Sequence, residues 1–92
     1  MAFYNGSKYT TLYAEGNGDW QTAIDENMNR RSLVIFCHTS AANDMKIDFS
    51  DTPDDNTAIT IQEGVMWEPK VTPTNKVSFK ASFGDILVVY FK

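Results

Sequence analysis

Ser32-Leu33-Val34-Ile35-Phe36-Cys37-His38-Thr39, a turn at Ser40-Ala41-Ala42-Asn43-Asp44, and then Met45-Lys46-Ile47-Asp48-Phe49-Ser50 settle the fold class. In the first stretch Leu33, Ile35 and Cys37 alternate with Val34, Phe36 and His38. Successive side chains of an extended chain point to opposite faces, so both faces start apolar, as in a central strand. In the second, Met45, Ile47 and Phe49 alternate with Lys46, Asp48 and Ser50. That is a half-buried strand with one wet face.

The same period continues downstream. Ile59 and Ile61 alternate with Thr60 and Gln62, Glu63-Gly64 turns the chain, and Val65-Met66-Trp67-Glu68 begins a short strand. Pro69 and Pro73 have no N–H for a ladder, which places this region at an edge or in a loop. Val77, Phe79 and Ala81 alternate with Ser78, Lys80 and Ser82. Phe83-Gly84-Asp85 then leads into residues 86–92, a connection short enough to predict a hairpin with antiparallel neighbours. Upstream, Tyr9-Thr10-Thr11-Leu12-Tyr13 has strand-type residues and ends at Glu15-Gly16-Asn17-Gly18. Asp19 is a candidate helix cap, and Trp20, Ile24 and Met28 fall at i, i+4 and i+8. Residues 20–29 thus fit one short helix or an extended chain.

The expectation is a single all-β domain: a small antiparallel β-sandwich or jelly-roll-like barrel of six to eight short strands. Its core spans residues 31–92, behind an N-terminal arm and a poorly defined segment over residues 1–30. No long amphipathic helix is available for parallel crossovers, which excludes an α/β fold.

A chain of 92 residues supports one core. A domain this small buries only roughly 60–65% of its unfolded surface, so a partner adds materially to its stability. The hydrophobic fraction of 42% and aromatic fraction of 13% exclude disorder. Eight basic against twelve acidic residues leave a net charge of −4, with no basic run beyond Arg30-Arg31. Nucleic-acid binding needs a clustered positive face, so it is not expected, and the charge disfavours anionic membranes. No apolar run approaches the ~20 residues of a membrane span, and Met1-Ala2-Phe3-Tyr4-Asn5-Gly6 lacks signal-peptide character. One cysteine makes no intrachain disulfide, which suits synthesis in a reducing cytosol.

Catalytic chemistry has little to work with. Cys37 and His38 are strand neighbours and point to opposite faces, so they form no dyad. Asp48, Asp51, Asp54 and Asp55 cluster around Pro53, but alternate acids about a central glycine are absent, and a solvated turn is expected in place of a calcium loop. One Cys and one His fall short of a zinc site. Gly16-Asn17-Gly18-Asp19 lacks the lysine and spacing of a phosphate loop. The expectation is a non-enzyme with no catalytic residue, metal or cofactor. What remains is contact surface. Phe3, Tyr4, Tyr9, Tyr13, Trp20 and Trp67 are the candidate partner-binding residues, with core packing the competing role for Trp67.

As a set, several segments resemble small virion proteins of tailed bacteriophages. They are Arg30-Arg31-Ser32-Leu33-Val34-Ile35, Thr39-Ser40-Ala41-Ala42-Asn43, Ile47-Asp48-Phe49, Ile59-Thr60-Ile61-Gln62-Glu63-Gly64, Trp67-Glu68-Pro69, Pro73-Thr74-Asn75-Lys76-Val77 and Gly84-Asp85-Ile86-Leu87-Val88-Val89. The segment before Arg30 has no counterpart in that pattern, and His38 stands where such sequences carry a turn-forming Asn. The resemblance implies a compact β-sandwich with a structural role in the virion. The expected function is a capsid decoration (cement) protein, a homotrimer that bridges neighbouring major capsid subunits. One contact would come from residues 2–13, another from the exposed face or edge of the last strand. The alternatives are a neck or tail component and a carbohydrate-binding module built on Trp20 or Trp67.

Overall fold

The computed structural model describes residues 9–38 and 43–92. Eight strands follow one another: β1 (Thr10–Glu15), β2 (Trp20–Ile24), β3 (Leu33–Cys37), β4 (Met45–Asp48), β5 (Ile59–Ile61), β6 (Met66–Trp67), β7 (Val77–Lys80) and β8 (Ile86–Phe91). They form two four-stranded sheets with orders β1-β8-β3-β6 and β2-β7-β4-β5, and every pairing is antiparallel. The pairs are nested: β1 with β8, β2 with β7, β3 with β6 and β4 with β5. Successive nested pairs fall in alternate sheets, which is the winding of a jelly roll. The shortest dimension, 19 Å, fits two stacked sheets with their side chains.

The core lies between the sheets. Leu33, Ile35, Cys37, Met45, Ile47, Ile61, Val77, Phe79, Ala81, Leu87 and Val89 are buried there, flanked by Leu12, Ala14, Ala23, Ile24, Phe49, Trp67 and Phe91. These are the positions that period-two alternation selects, and each large one contributes about 1.5–3 kcal/mol on leaving water. As expected, β3 is an inner strand and β6 an edge strand.

Two expectations are corrected. Residues 20–29 hold no helix; Trp20–Ile24 is strand β2. It pairs with β7 through Trp20↔Lys80, Gln21↔Phe79 and Thr22↔Ser78, then bulges so that Ile24 meets Val77. A helix this short is marginal alone, whereas the extended chain gains a ladder and brings Ala23 and Ile24 onto the core. Met28, third on the supposed stripe, is solvent-exposed. Strands β1 and β2 thus carry the sandwich back to Thr10, ahead of residue 31.

The second correction concerns β7 and β8, which belong to different sheets and form no hairpin. Their connection turns a corner instead. Alongside it runs the β1–β2 connection: the Gly16 N–H donates to the Asp85 carbonyl (2.8 Å) and the Gly18 N–H to the Ala81 carbonyl (2.9 Å). Two long arms, 10–24 and 77–91, therefore cross from one sheet to the other together. Gly16 permits the crossing: a Cβ there would lie 2.5 Å from the Ser82 carbonyl oxygen and 2.6 Å from the Ala81 side chain.

Candidate functional site

The four aromatic candidates among the described residues do not converge. Phe3 and Tyr4 lie outside the described residues. Tyr9 is half-buried; its hydroxyl accepts a hydrogen bond from Ser32 Oγ (3.3 Å), and Lys92 Nζ stands 5.9 Å from its ring centre. Trp67 stacks on Phe49 with ring centres 5.9 Å apart and packs against the core, the competing role foreseen for it. Tyr13 and Trp20 remain on the outside, on different sheets.

Tyr13 is 68% exposed. The register places it in a row across the outer face of the β1-β8-β3-β6 sheet: Tyr13 opposite Val88, Val88 opposite Phe36, Phe36 opposite Met66. A parallel row runs Thr11–Tyr90–Val34, and Ile86 lies beyond. Val34 and Val88, turned from the core by alternation, are nonetheless fully buried, while Phe36, Met66, Ile86 and Tyr90 are half-buried. The outer face of an antiparallel sheet is normally polar; this one is apolar from β1 to β6, and its two central valines are covered. Of these, Ile86 and Tyr90 lie on the last strand, whose exposed face the sequence offered as a contact, whereas Phe36 and Met66 were not singled out. Their signal was present in the unbroken apolar runs Leu33–Cys37 and Ile86–Phe91, which are the pattern of strands covered on both faces.

The outer face of the second sheet is polar and organised by Asp48. This carboxylate is only 5% exposed. It accepts hydrogen bonds from the N–H of Ser50 (3.1 Å) and Asp54 (2.9 Å) and from Thr57 Oγ1 (2.7 Å). Burial opposes its charge, but those bonds and the Phe49 N–H outweigh burial and hold the carboxyl below its usual range. The acidic loop is therefore folded onto the sheet, next to the buried Ser78 opposite Asp48.

From that loop Asp55 reaches Lys80 (3.3 Å) and Lys46 (3.6 Å), which face each other across β7 and β4. The Lys80 bond foremost, then the two lysine charges and a hydrogen bond from Trp20, lower the Asp55 carboxyl below its usual range. Trp20 thus heads a row Trp20–Lys80–Lys46–Thr60. Beside it a cavity of about 190 Å³ is lined by Gly18, Asp44, Lys46, Lys80, Ala81 and Ser82. No group of three or more His, Cys, Asp or Glu that could hold a metal ion occurs among the described residues.

Cys37 and His38 diverge as strand geometry requires. The thiol is in the core, where burial, then the charges of Asp44, Asp85 and Glu63, push its pKa up to about 11. At neutral pH only about one thiol in 10⁴ is then thiolate, so Cys37 is no nucleophile. The His38 ring leans on Phe36, centre to centre 5.8 Å.

No family model matches the chain, and no curated protein matches it. Among solved structures it is similar to a protein from Neisseria meningitidis, at 23% identity and a TM-score of 0.46 over 89% of this chain and 68% of that one. It is also similar to a cupin-2 domain containing protein from Shewanella frigidimarina, at 16% identity and a TM-score of 0.47 over 89% of this chain and 66% of that one. The chain spans about two thirds of the length of each.

Proposed function

We propose that this chain is a virion structural protein of a tailed bacteriophage: a capsid decoration protein that joins neighbouring major capsid subunits by surface contact, as a homotrimer. The observation that supports the reading is the apolar outer face of the β1-β8-β3-β6 sheet, with Tyr13 68% exposed at its edge. A specific contact hides on the order of 1,000 Å² or more in total, with buried aromatics as anchors. Tyr13, Phe36, Met66 and Tyr90 are residues of that kind on one continuous face. The net charge of −4 favours a partner surface with basic patches. In this reading residues 2–13, with Phe3, Tyr4 and Tyr9, supply a second contact. Linked contacts reinforce one another through effective concentration and oppose the outward pressure of packaged DNA.

The test is co-sedimentation of the purified protein with expanded capsids, followed by counting copies per particle. On the order of hundreds of symmetrically placed copies is the expected result. Roughly a dozen or fewer, at one vertex or on the tail, would favour the neck or tail alternative. No binding to any part of the particle would overturn the proposal.

A second reading, a carbohydrate-binding module, has its own observation: Trp20 on the outer face of the β2-β7-β4-β5 sheet, flanked by Lys80, Lys46 and Asp55. Titrating glycans against tryptophan fluorescence separates it from the first. Trp67 is partly buried against the core, so repeating the titration on Trp20→Phe assigns any glycan-dependent change to Trp20 or Trp67.

A further inference from the structure

The two sheets end in four edge strands, β1 and β6 on one and β2 and β5 on the other. An edge strand carries unpaired N–H and C=O groups that a further strand can use, and proteins usually blunt it by shortness, a bulge or a proline. Three of these edges are blunted. β5 has three residues and β6 has two, with Pro69 shortly after. β2 is broken by the register shift between Thr22 and Ile24. β1 is not blunted: its six residues, Thr10–Glu15, pair with β8 in unbroken register, contain no proline and are mostly exposed.

The hydrogen bonds at the two ends of β8 fix which backbone groups of β1 are spent. Lys92 and Ser32 exchange N–H and C=O, and the His38 N–H donates to the Ile86 carbonyl, so the even-numbered residues of β8 bond to β3. The odd-numbered residues then bond to β1, as they do where the Gly16 N–H donates to the Asp85 carbonyl. In the register, Thr10, Leu12 and Ala14 stand opposite Phe91, Val89 and Leu87 and spend their N–H and C=O there. Thr11, Tyr13 and Glu15 turn theirs outward, along the open edge. Among the described residues no group bonds to those outward N–H and C=O groups. The side chains of the same three residues share the outer face, in line with Tyr90, Val88 and Ile86.

We propose that this edge pairs with the same edge of a second copy of the chain, antiparallel about a two-fold axis at Tyr13. In that register Tyr13 faces Tyr13 of the partner subunit, and Thr11 faces the partner's Glu15. It is the one register that uses the outward groups of all three residues in both copies. It also suits the side chains, because an aromatic pair is favourable on a sheet face and Glu15 meets a threonine instead of another carboxylate. The edge is thus its own complement, which is what a two-fold contact between identical surfaces requires. The apolar row Tyr13–Val88–Phe36–Met66 then runs on into its counterpart, across a sheet continued from one copy into the other. A contact of one strand on each side is small, so the pairing is of the weak, concentration-dependent kind. It is two-fold and made by the backbone, so it goes beyond the proposed three-fold assembly and capsid docking and rests on neither: the outer face stays open, and one trimer is linked to the next.

The experiment is sedimentation equilibrium of the full chain across concentration. The expected result is a reversible doubling of mass, of the single chain or of its trimer, with a dissociation constant of about 10–500 μM. Thr11→Lys sets opposite charges at both Thr11–Glu15 pairs and is expected to tighten the doubling about threefold or more, whereas Thr11→Glu sets like charges there and should weaken it about threefold or more. Thr11→Lys combined with Glu15→Lys brings the net charge nearer zero yet restores like charges across the edge, so it should pair more weakly than Thr11→Lys alone. Thr11→Pro removes an outward N–H that β8 does not use, and should weaken the doubling about tenfold or more. Should that variant fail to fold, the charge series decides, since Thr11 is exposed. No doubling up to about 1 mM overturns the proposal, and so does doubling that ignores Thr11→Pro or the sign of the charge at residue 11. Loss of capsid co-sedimentation on Thr11→Pro, with no doubling of the wild type, would give the edge to a strand of the capsid subunit and overturn the pairing of copies.

Discussion

Asp48 shows how one side chain fixes a whole loop. Its carboxylate satisfies donors from Ser50, Asp54 and Thr57 in a place where water does not reach freely. Asp48→Ala strands those donors, and each unmade buried bond costs about 1–3 kcal/mol. The variant is therefore expected to melt markedly lower in a thermal scan. The pH dependence has a definite sign. The folded-state pKa of Asp48 is depressed, so its stabilisation is complete above the unfolded value of about 3.9 and is lost as pH falls through the lower folded value. Wild type should lose stability as pH falls below about 4, more steeply than Asp48→Asn; equal slopes would show that Asp48 is not the titrating group. Cys37 gives a second test. With its pKa near 11 and its side chain in the core, alkylation at pH 8 should be slowed in proportion to the small unfolded fraction and should rise with added denaturant; alkylation as fast as that of a free thiol would show that Cys37 is accessible. The sequence located Cys37 correctly, because alternation alone places it inside. It did not show that Asp48 is buried, because the donors it collects come from the loop that follows, two to nine residues on, and only the folded loop brings them together.

At the scale of the element, the corner between the sheets carries the information a hairpin reading missed. Phe83-Gly84-Asp85 has the composition of a tight turn, and composition does not say whether the next strand folds back or crosses over. The crossing is set by the neighbouring arm, where Gly16 lies against Ala81 and Ser82. Two glycine substitutions separate close approach from backbone conformation. Gly16→Ala drives a methyl group into the Ser82 carbonyl and should cost about 2–4 kcal/mol, in the range of overpacked or strained sites. Gly84→Ala meets open space but must hold φ +86°, and should cost only about 1–2 kcal/mol. Chemical denaturation of both variants checks the order, and the reverse order would show that the two arms need not cross in contact. β2 teaches the same lesson. Its residues satisfied a helical stripe as well as a strand, and the ladder offered by β7 decided between them.

For the molecule as a whole, the proposed docking face can be tested separately from folding. Tyr13→Asp changes a residue that is 68% exposed, so the melting temperature should stay within a few degrees of wild type while capsid co-sedimentation falls about tenfold or more. A variant that still sediments fully would remove this face from the docking surface. Folding speed is a property of the nested topology. β1 closes on β8 by pairing Thr10 with Phe91, nearly the full length of the described chain. Refolding should accordingly take milliseconds to seconds, as in other sandwiches dominated by distant pairings, and stopped-flow fluorescence will measure it. The amino-acid sequence by itself determined that this protein is all-β and which residues fill its core. Both follow from the contrast between residues one and two positions apart, a local property of the chain. Only the tertiary structure decided which strands pair, that 20–24 is extended, that 81–85 turns a corner, and that Arg30 and Asp48 are buried. Those outcomes depend on competition among distant partners for the same backbone donors and acceptors, and no short window of sequence contains that competition.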